Sequence, residues 1–301
     1  MAMLGEGMGV RETARVLEIT PKSVLRLVRR VGRHVQTIVA EHLRGLLTEE
    51  IQLDELGSFL RKKEANLTDL EALQQELGDA GIWVAFDPIH KVVVGFVIGQ
   101  RTRENAVRLL HAVRRTLGEG VLPLFTSDEL SCYEDALVEV FGTRVQPLRL
   151  GERGRYPQTV TVPPDDLRYA VVHKEREQNH VIRVTRRVRL GTERAVNAAL
   201  SNSPVSARIN TSFVERENGK LRADNGRLVR KTLGFSKKKP DFLDSVRRSI
   251  AYDHFCRPHR GLRQEHPRGE LPHGAIWEKR SPMMALGHTD HIWSVRELLL
   301  Y

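Results

Sequence analysis

The order of apolar segments over residues 50–141 most limits how this chain can fold. Four segments rich in β-branched and aromatic residues are typical of strands. They are residues 50–57, 81–88, 91–99 and 121–129. An amphipathic helix is predicted over residues 105–117, between the third and fourth strands, and another around Tyr133, after the fourth. We therefore predict an α/β domain in which helices flank a mixed sheet.

Two of the predicted strands end in an aspartate. Three strands, a helix, a strand and a further helix is the order of a ribonuclease H-like fold, which places the ends of its first and fourth strands side by side. Asp54 lies near the end of the first strand, and Asp128 follows the apolar part of the fourth. An aspartate such as Asp128, taken alone, is as often a turn former or helix cap. Together the two carboxylates are expected to share divalent cations.

The charge of the chain indicates an anionic partner. The 301 residues carry a formal net charge of +10, and nucleic acid is the commonest partner of so basic a protein. Residues 208–239 hold ten lysines and arginines against three acids, a net charge of +7. A solvated helix face explains such a cluster equally well. A membrane surface fits less well, because the segment has few large apolar residues to bury in lipid.

The same basic segment offers a third carboxylate, from Glu215. Glu217 lies two residues on, about 200° around a helix, so only one of the two can face the aspartates. We favour Glu215 and keep Glu217 as the alternative. Three such carboxylates suit Mg²⁺ or Mn²⁺, and two ions can activate an attacking oxygen and stabilise a leaving one. Asn218 and Arg222 lie on neighbouring turns of the same face and are expected to contact phosphates.

These residues resemble the DDE transposases of the insertion-sequence-one family. The matching elements are Asp54, Asp128, Glu215-Arg216, Asn218, Arg222, Arg230-Lys231-Thr232 and Phe235-Ser236-Lys237. The resemblance implies a helix-turn-helix joined to a ribonuclease H-like domain that nicks element ends and joins the freed 3′-hydroxyl to target DNA. It implies Asp54, Asp128 and Glu215 as catalytic residues and as the ligands of two Mg²⁺ or Mn²⁺ ions. Family members often carry a four-cysteine zinc ribbon, and this sequence has no cysteine before Cys132.

The resemblance also implies the partners. They are double-stranded DNA, as terminal inverted repeats and target, and a second copy of the chain, because two DNA ends must be brought together. The DNA contacts expected in the basic segment are Arg216, Asn218, Lys220, Arg222, Arg227, Arg230 and Lys231.

The first forty residues are typical of two helices joined by a turn. Thr20 is a good N-cap, and Pro21 takes the favoured first helical position. Ile19 and Val24 can form a hydrophobic staple around that cap. The expected DNA contacts on the open side of the second helix are Lys22, Ser23, Arg26 and Arg30. A plain helical hairpin packed on the next domain is the alternative.

We divide the chain into three parts. They are a helix-turn-helix segment, 1–44, a catalytic domain, 45–255, with an irregular insertion near 151–205, and a C-terminal tail, 256–301. The sequence has neither an apolar run of about 18 residues nor a signal-peptide pattern, so we expect a cytoplasmic protein. Cys132 and Cys256 suit a reducing compartment and are expected to be small core residues.

Several other residues have a plain structural explanation. Asp87 is expected to be a turn residue before a proline, and Glu55 and Glu129 are expected to be solvated. A metal site at His254 and His259 is less expected than packing or DNA contact by their segment. The tryptophans are expected to be packing anchors rather than base-stacking platforms. They are Trp83, Trp277 and Trp293.

Three functions are therefore compared. The first is a metal-dependent DNA transposase. The second is a non-catalytic DNA-binding regulator or an inactive transposase remnant, which the N-terminal helices and the positive charge would serve equally well. The third is a ribonuclease H-type nuclease without strand transfer, which would use the same metals and degrade the RNA of an RNA–DNA hybrid.

Overall fold

The computed structural model describes residues 1–68, 78–147, 158–178, 180–229 and 234–301. The helices are α1 (Ala2–Gly5), α2 (Val10–Val16), α3 (Pro21–His42), α4 (Arg103–Thr116), α5 (Cys132–Phe141), α6 (Glu193–Asn202), α7 (Ser212–Asp224), α8 (Lys239–Ala251), α9 (Pro282–Ala285) and α10 (Val295–Leu300). The strands are β1 (Glu50–Leu56), β2 (Phe59–Leu60), β3 (Gly78–Asp79), β4 (Gly81–Asp87), β5 (Val92–Gly99), β6 (Leu124–Asp128), β7 (Thr143–Val145), β8 (Val160–Val162), β9 (Arg168–Glu177), β10 (His180–Leu190), β11 (Gln264–Glu265) and β12 (Trp277–Glu278).

A six-stranded mixed sheet forms the centre of the molecule, in the order β10-β9-β6-β1-β4-β5. Strand β1 pairs in parallel with β6 and antiparallel with β4. Strand β6 pairs in parallel with β9, while β5 and β10 are antiparallel to their neighbours. The first and fourth predicted strands, now β1 and β6, therefore lie side by side. The predicted class, a ribonuclease H-like mixed sheet flanked by helices, is confirmed.

The sheet is covered on both faces, because successive residues of a strand point to opposite faces and its central strands carry apolar residues on each of them. On the first face, Leu53 and Trp83 pack against α3, α4 and α5. On the second face, Leu56 and Val84 pack against α7 and α8. Every residue of β4 is buried, as is all of β1 except the half-buried Asp54. The exception lies where the strand ends, at the edge that carries the acids.

Helix α3 connects the N-terminal segment to this core. Thr20 accepts a hydrogen bond from the Ser23 amide, 3.2 Å away, and Pro21 is the first helical residue, so the predicted helix start is confirmed. Val24 packs with α1 and α2, whereas Val35, further along α3, belongs to the main core. The predicted staple is wrong, because Ile19 is 46% exposed. The backbone turns just before Ile19, where Glu18 has a φ of 53°.

The C-terminal residues also pack on the domain. Met283 in α9 and Leu298 in α10 belong to the main core. Trp293 lies against Phe255, with ring centroids 4.6 Å apart. Both cysteines pack against the core, as expected, and burial raises the pKa of each thiol, that of Cys132 to about 11. No helix within the described ranges combines the length and the apolar character that a membrane crossing requires.

Candidate metal centre and nucleic-acid interface

Three carboxyl groups meet where β1 and β6 end. One oxygen each from Asp54, Glu55 and Asp128 lies within 4.8 Å of the other two. The register of the parallel pair explains this meeting, because Leu53 lies opposite Ser127 and each is followed by an aspartate. The structure thus brings the two predicted aspartates together and adds Glu55. Among the described residues, no other group of three metal-ligating side chains is this close.

Glu55 is buried, so the prediction that it is solvated is wrong. Its side chain is only 1% exposed, and one carboxylate oxygen lies 3.6 Å from the Arg101 guanidinium. The other accepts a hydrogen bond from the hydroxyl of Tyr133 on α5. Alternation along β1 turns Glu55 toward the first face and Asp54 toward the second. The sequence contained a signal for the burial of Glu55. A strand that is covered on both faces buries consecutive residues, whichever face each of them points to.

The three carboxyl groups have raised pKa values. Burial, with the nearby charge of Asp128, raises the pKa of Asp54 to about 6. Burial also raises the pKa of Glu55, to about 7, and that of Asp128. The Oδ1 atom of Asp128 is buried without a hydrogen-bond partner in the described part of the chain. Buried acids that repel one another in this way are stabilised by a cation between them.

Gln52 fixes α7 over this edge of the sheet. It lies two residues before Asp54, on the same face of β1. Its Oε1 atom accepts hydrogen bonds from the amides of Phe213 and Val214, 3.1 and 3.0 Å away, which are first-turn donors that have no partner within a helix. Further along α7, Nδ2 of Asn218 donates to Oδ2 of Asp54 over 2.8 Å. Helix α7 is therefore attached to β1 at two points, and its polar face meets the aspartates.

Glu215 lies beside the close group and is not a member of it. Its Oε1 atom accepts hydrogen bonds from Lys174 on β9 and from Thr211. Burial acts to raise the pKa of Glu215, but these bonds hold that pKa below its ordinary value. Its charge still raises the pKa of both Asp54 and Asp128. The charge of Glu215 therefore influences the two aspartates, while its own carboxylate is bonded to Lys174.

Glu217 faces away from the aspartates. It is buried, and its Oε2 atom lies 2.7 Å from Nζ of Lys220. Lys220 also pairs with Asp253. Of the two glutamates, Glu215 is the one whose charge acts on Asp54 and Asp128, whereas Glu217 lies against Lys220. Lys220, which was predicted to contact DNA, takes part in this ion pair and is half-buried.

The other predicted DNA contacts differ in exposure. Arg216 is exposed, Arg222 and Arg227 are half-buried, and Arg227 donates to Oγ of Ser236 over 3.1 Å. Asn218 is buried against Asp54. The exposed contacts on α3 are Lys22, Ser23, Arg26 and Arg30. The motif residues Arg230, Lys231 and Thr232 lie outside the described residues.

The two histidines just after α8 make hydrogen bonds within the protein. His254 is buried, and its Nε2 atom accepts a hydrogen bond from the Val93 amide, 2.9 Å away. His259 accepts one from the amide of Gly261. Asp87 accepts bonds from two amides just after it, so it is the turn residue that the sequence predicted.

The tryptophans divide into two kinds. Trp83 is fully buried and Trp293 packs on the main core, as predicted for anchors. Trp277 is half-buried, and the guanidinium of Arg263 lies 3.9 Å from the centroid of its ring. Its surroundings are therefore cationic rather than apolar.

Comparison with known proteins gives little sequence similarity. No protein-family model and no curated protein matches the chain. Among solved structures it is similar to the Mos1 strand transfer complex, at 15% identity and a TM-score of 0.19, over 44% of this chain and 50% of that one. It is also similar to the mariner Mos1 paired-end complexes with Mn and with Mg. Each of these matches has 15% identity and a TM-score of 0.21, and covers 46% of this chain and 55% of the matched chain. The chain spans about half the length of these matched chains.

Proposed function

We propose that this protein is a DDE-type DNA transposase of an insertion sequence, which cleaves element ends and joins the freed 3′-hydroxyl to target DNA. The observation that carries the proposal is the convergence of Asp54 and Asp128, far apart in sequence, at one edge of the sheet. The basic helix α7 lies at that edge and is bonded to it by Asn218, which donates a hydrogen bond to Asp54. Membership of the insertion-sequence-one family, and action as a dimer or larger assembly on DNA, are parts of the same proposal.

The donor set at this edge fits Mg²⁺ or Mn²⁺. All the nearby ligands are carboxylate oxygens, which hard divalent ions prefer. A bound cation would give the buried Oδ1 of Asp128 a partner. It would also favour the charged form of Asp54, whose pKa is otherwise raised. Asp54, Asp128 and Glu215 would hold the metal, with Glu55 next to them. One or two such ions supply Lewis-acid activation of a phosphodiester.

The protein's own groups position these acids and the DNA. Asn218 orients Asp54, and Gln52 fixes the first turn of α7. Arg216 is exposed and follows Glu215 directly along α7, so it offers this helix a cation for a DNA phosphate. The exposed arginines of α3, Arg26 and Arg30, provide a second positive surface suited to a DNA groove.

The affinity of the metal is expected to depend on pH. At pH 5.5 a carboxyl group with a pKa of about 6, as at Asp54, is mostly protonated, and a metal ion must displace that proton. The apparent affinity for Mg²⁺ should therefore be about fourfold weaker at pH 5.5 than at pH 8, and weaker still if Glu55 also loses a proton. Isothermal titration calorimetry in two buffers of different ionisation enthalpy measures both the affinity and the proton release. An affinity that is the same at both pH values contradicts a ligand role for Asp54.

A cleavage assay tests the function. The substrate is duplex DNA that carries the inverted repeats flanking the gene, and the protein is incubated with it in Mg²⁺, Mn²⁺ or EDTA. We expect nicks at the repeat ends and strand-transfer products with either metal and none with EDTA. Tight binding without cleavage in both metals supports the regulator or remnant instead. Degradation of the RNA in an RNA–DNA hybrid, without any need for element ends, supports the nuclease.

A further inference from the structure

A cavity lies on the other side of α7 from the carboxylates. Its volume is about 640 Å³, and we call it the α7 cavity. Helix α7 lines it with Phe213, Arg216, Glu217 and Lys220. Their spacing of three, four and seven residues defines one helix face. Asn218 lies on a different face, against Asp54, so one helix separates the two sites.

The wall of the α7 cavity is positively charged. The cations that line it are Lys91, Arg216, Lys220, Arg260 and Arg263. The carboxylate of Glu217 also lines it, but that charge is paired with Lys220. Within the described ranges, no ion pair involves Arg216, Arg260 or Arg263. A concave surface with unbalanced positive charge concentrates anions.

The same wall offers aromatic rings, each facing a cation. Nζ of Lys91 lies 4.2 Å from the centroid of the Phe213 ring, and Arg263 lies 3.9 Å from that of Trp277. Both aromatic side chains are half-buried, unlike Trp83. Grooves that bind single-stranded nucleic acid combine these two elements, because bases stack on the rings while cations hold the phosphates. Stacked base pairs of a duplex cannot present a base face to such a wall.

We propose that the α7 cavity binds one unpaired nucleotide of a DNA strand, with its base against Trp277 and Phe213 and its phosphate at Arg216 and Arg260. The volume is in the range of pockets that enclose one small molecule, which suits a single nucleotide and excludes a duplex. The identification of the strand as DNA rests on the proposed function. Because α7 lies between the two sites, a strand held here is one helix away from Asp54 and Asp128.

Fluorescence of 2-aminopurine tests this proposal. The base is placed in a 3′ single-stranded overhang or, for comparison, inside a paired duplex of the same length, and the full chain is titrated in EDTA. We expect quenching on binding only for the overhang, because stacking on an aromatic ring requires an unpaired base. Quenching of the paired base to the same extent, or no quenching in the overhang, overturns the proposal. Free 2-aminopurine nucleotide that binds as tightly as the overhang overturns the choice of a DNA strand.

Two variants separate the cavity from the general positive charge. Trp277→Leu is expected to weaken overhang binding about 5- to 100-fold, while affinity for blunt duplex changes less than about twofold. Arg260→Ala should weaken overhang binding more than Arg268→Ala, a matched control, because Arg268 is exposed in the same segment but does not line the cavity. Overhang binding by Trp277→Leu at wild-type affinity contradicts the proposal.

Two further measurements keep the test independent of folding and of catalysis. Photocrosslinking of 5-iodouracil in the overhang to the unaltered protein should label the peptide of Trp277 or Phe213, and labelling only elsewhere overturns the assignment. The unaltered protein should quench the overhang to the same extent in EDTA and in Mg²⁺, because no metal is needed, and quenching that requires Mg²⁺ overturns the proposal. If the wild type quenches the overhang but does not cleave DNA, the transposase function is contradicted and the nucleotide site is still supported.

Discussion

Replacing Asp54 with asparagine is expected to lower the single-turnover rate of metal-dependent DNA cleavage by about 10³-fold or more. Asparagine keeps the size of the side chain but removes its charge, and with it one of the two aspartates that meet at the ends of β1 and β6. A bound divalent ion contributes several kcal/mol of transition-state stabilisation, and each 1.36 kcal/mol corresponds to a factor of ten in rate. Quantifying nicked product at saturating protein concentration, with Mg²⁺ present, measures the effect.

The same substitution should have a second effect, of opposite sign, on stability. The Asp54 carboxylate is mostly buried beside Asp128, which opposes its ionisation. Without metal, at pH 8, the Asp54→Asn protein should therefore be at least as stable as the wild type, and it should lose the rise in Tm that Mg²⁺ gives the wild type. Asp165→Asn is the matched control, because Asp165 is exposed in a loop away from the cluster. Cleavage by Asp54→Asn at the wild-type rate contradicts the assignment.

The convergence of the two aspartates could be predicted because the order of strands and helices along the chain indicated which strands are neighbours. Apolar runs located β1 and β6, and the parallel pairing of those strands placed Asp54 and Asp128 at one edge. Helix geometry was equally sufficient for Glu215 and Glu217, since two residues along a helix reverse the direction of a side chain. For the two glutamates the controlling period is shorter than one element, so the sequence alone contains it.

The partners of these acids could not be predicted, because they come from distant parts of the chain. Glu55 is bonded by Tyr133, 78 positions away, and Glu215 by Lys174, 41 positions away. No period in the sequence relates such pairs, and only the packed helices and strands bring them together. The basic segment shows the same limit. Its formal charge counts Lys220 as a free cation, whereas the fold pairs it with Glu217.

Helix α3 shows a related limit at the level of domains. Its N-terminal cap at Thr20 was predictable, because a cap depends on neighbouring residues. Its passage from the N-terminal segment into the main core was not, because Val24 and Val35 have the same apolar character but pack in different clusters. An amphipathic pattern indicates that a face is buried and does not identify what covers it.

Replacing Lys220 with methionine is expected to lower the free energy of unfolding by about 3–5 kcal/mol at pH 8. The ammonium lies between Glu217 and Asp253, both of which are buried, and its own side chain is only 23% exposed. Methionine fills the space of the lysine stem but leaves Glu217 without its cation and Asp253 with Arg257, 3.7 Å away. Breaking a buried ion pair in this way costs about that much. The loss is a large part of the total stability of a typical domain. Urea denaturation followed by far-UV circular dichroism measures it.

The loss should be smaller at pH 5.5 than at pH 8. Burial raises the pKa of Glu217 to about 7 even with Lys220 beside it, and removal of the lysine must raise it further. A carboxyl group whose pKa is higher in the folded than in the unfolded state binds more protons when folded, so stability falls as pH rises through that interval. Lys22→Met, on the exposed side of α3, is the control and should change stability by less than about 0.5 kcal/mol at either pH. Adding Glu217→Gln to Lys220→Met should restore part of the stability at pH 8, because the double variant retains one buried charge instead of two. A loss that does not depend on pH, or a double variant no more stable than the single one, would show that Lys220 supports α7 by packing alone.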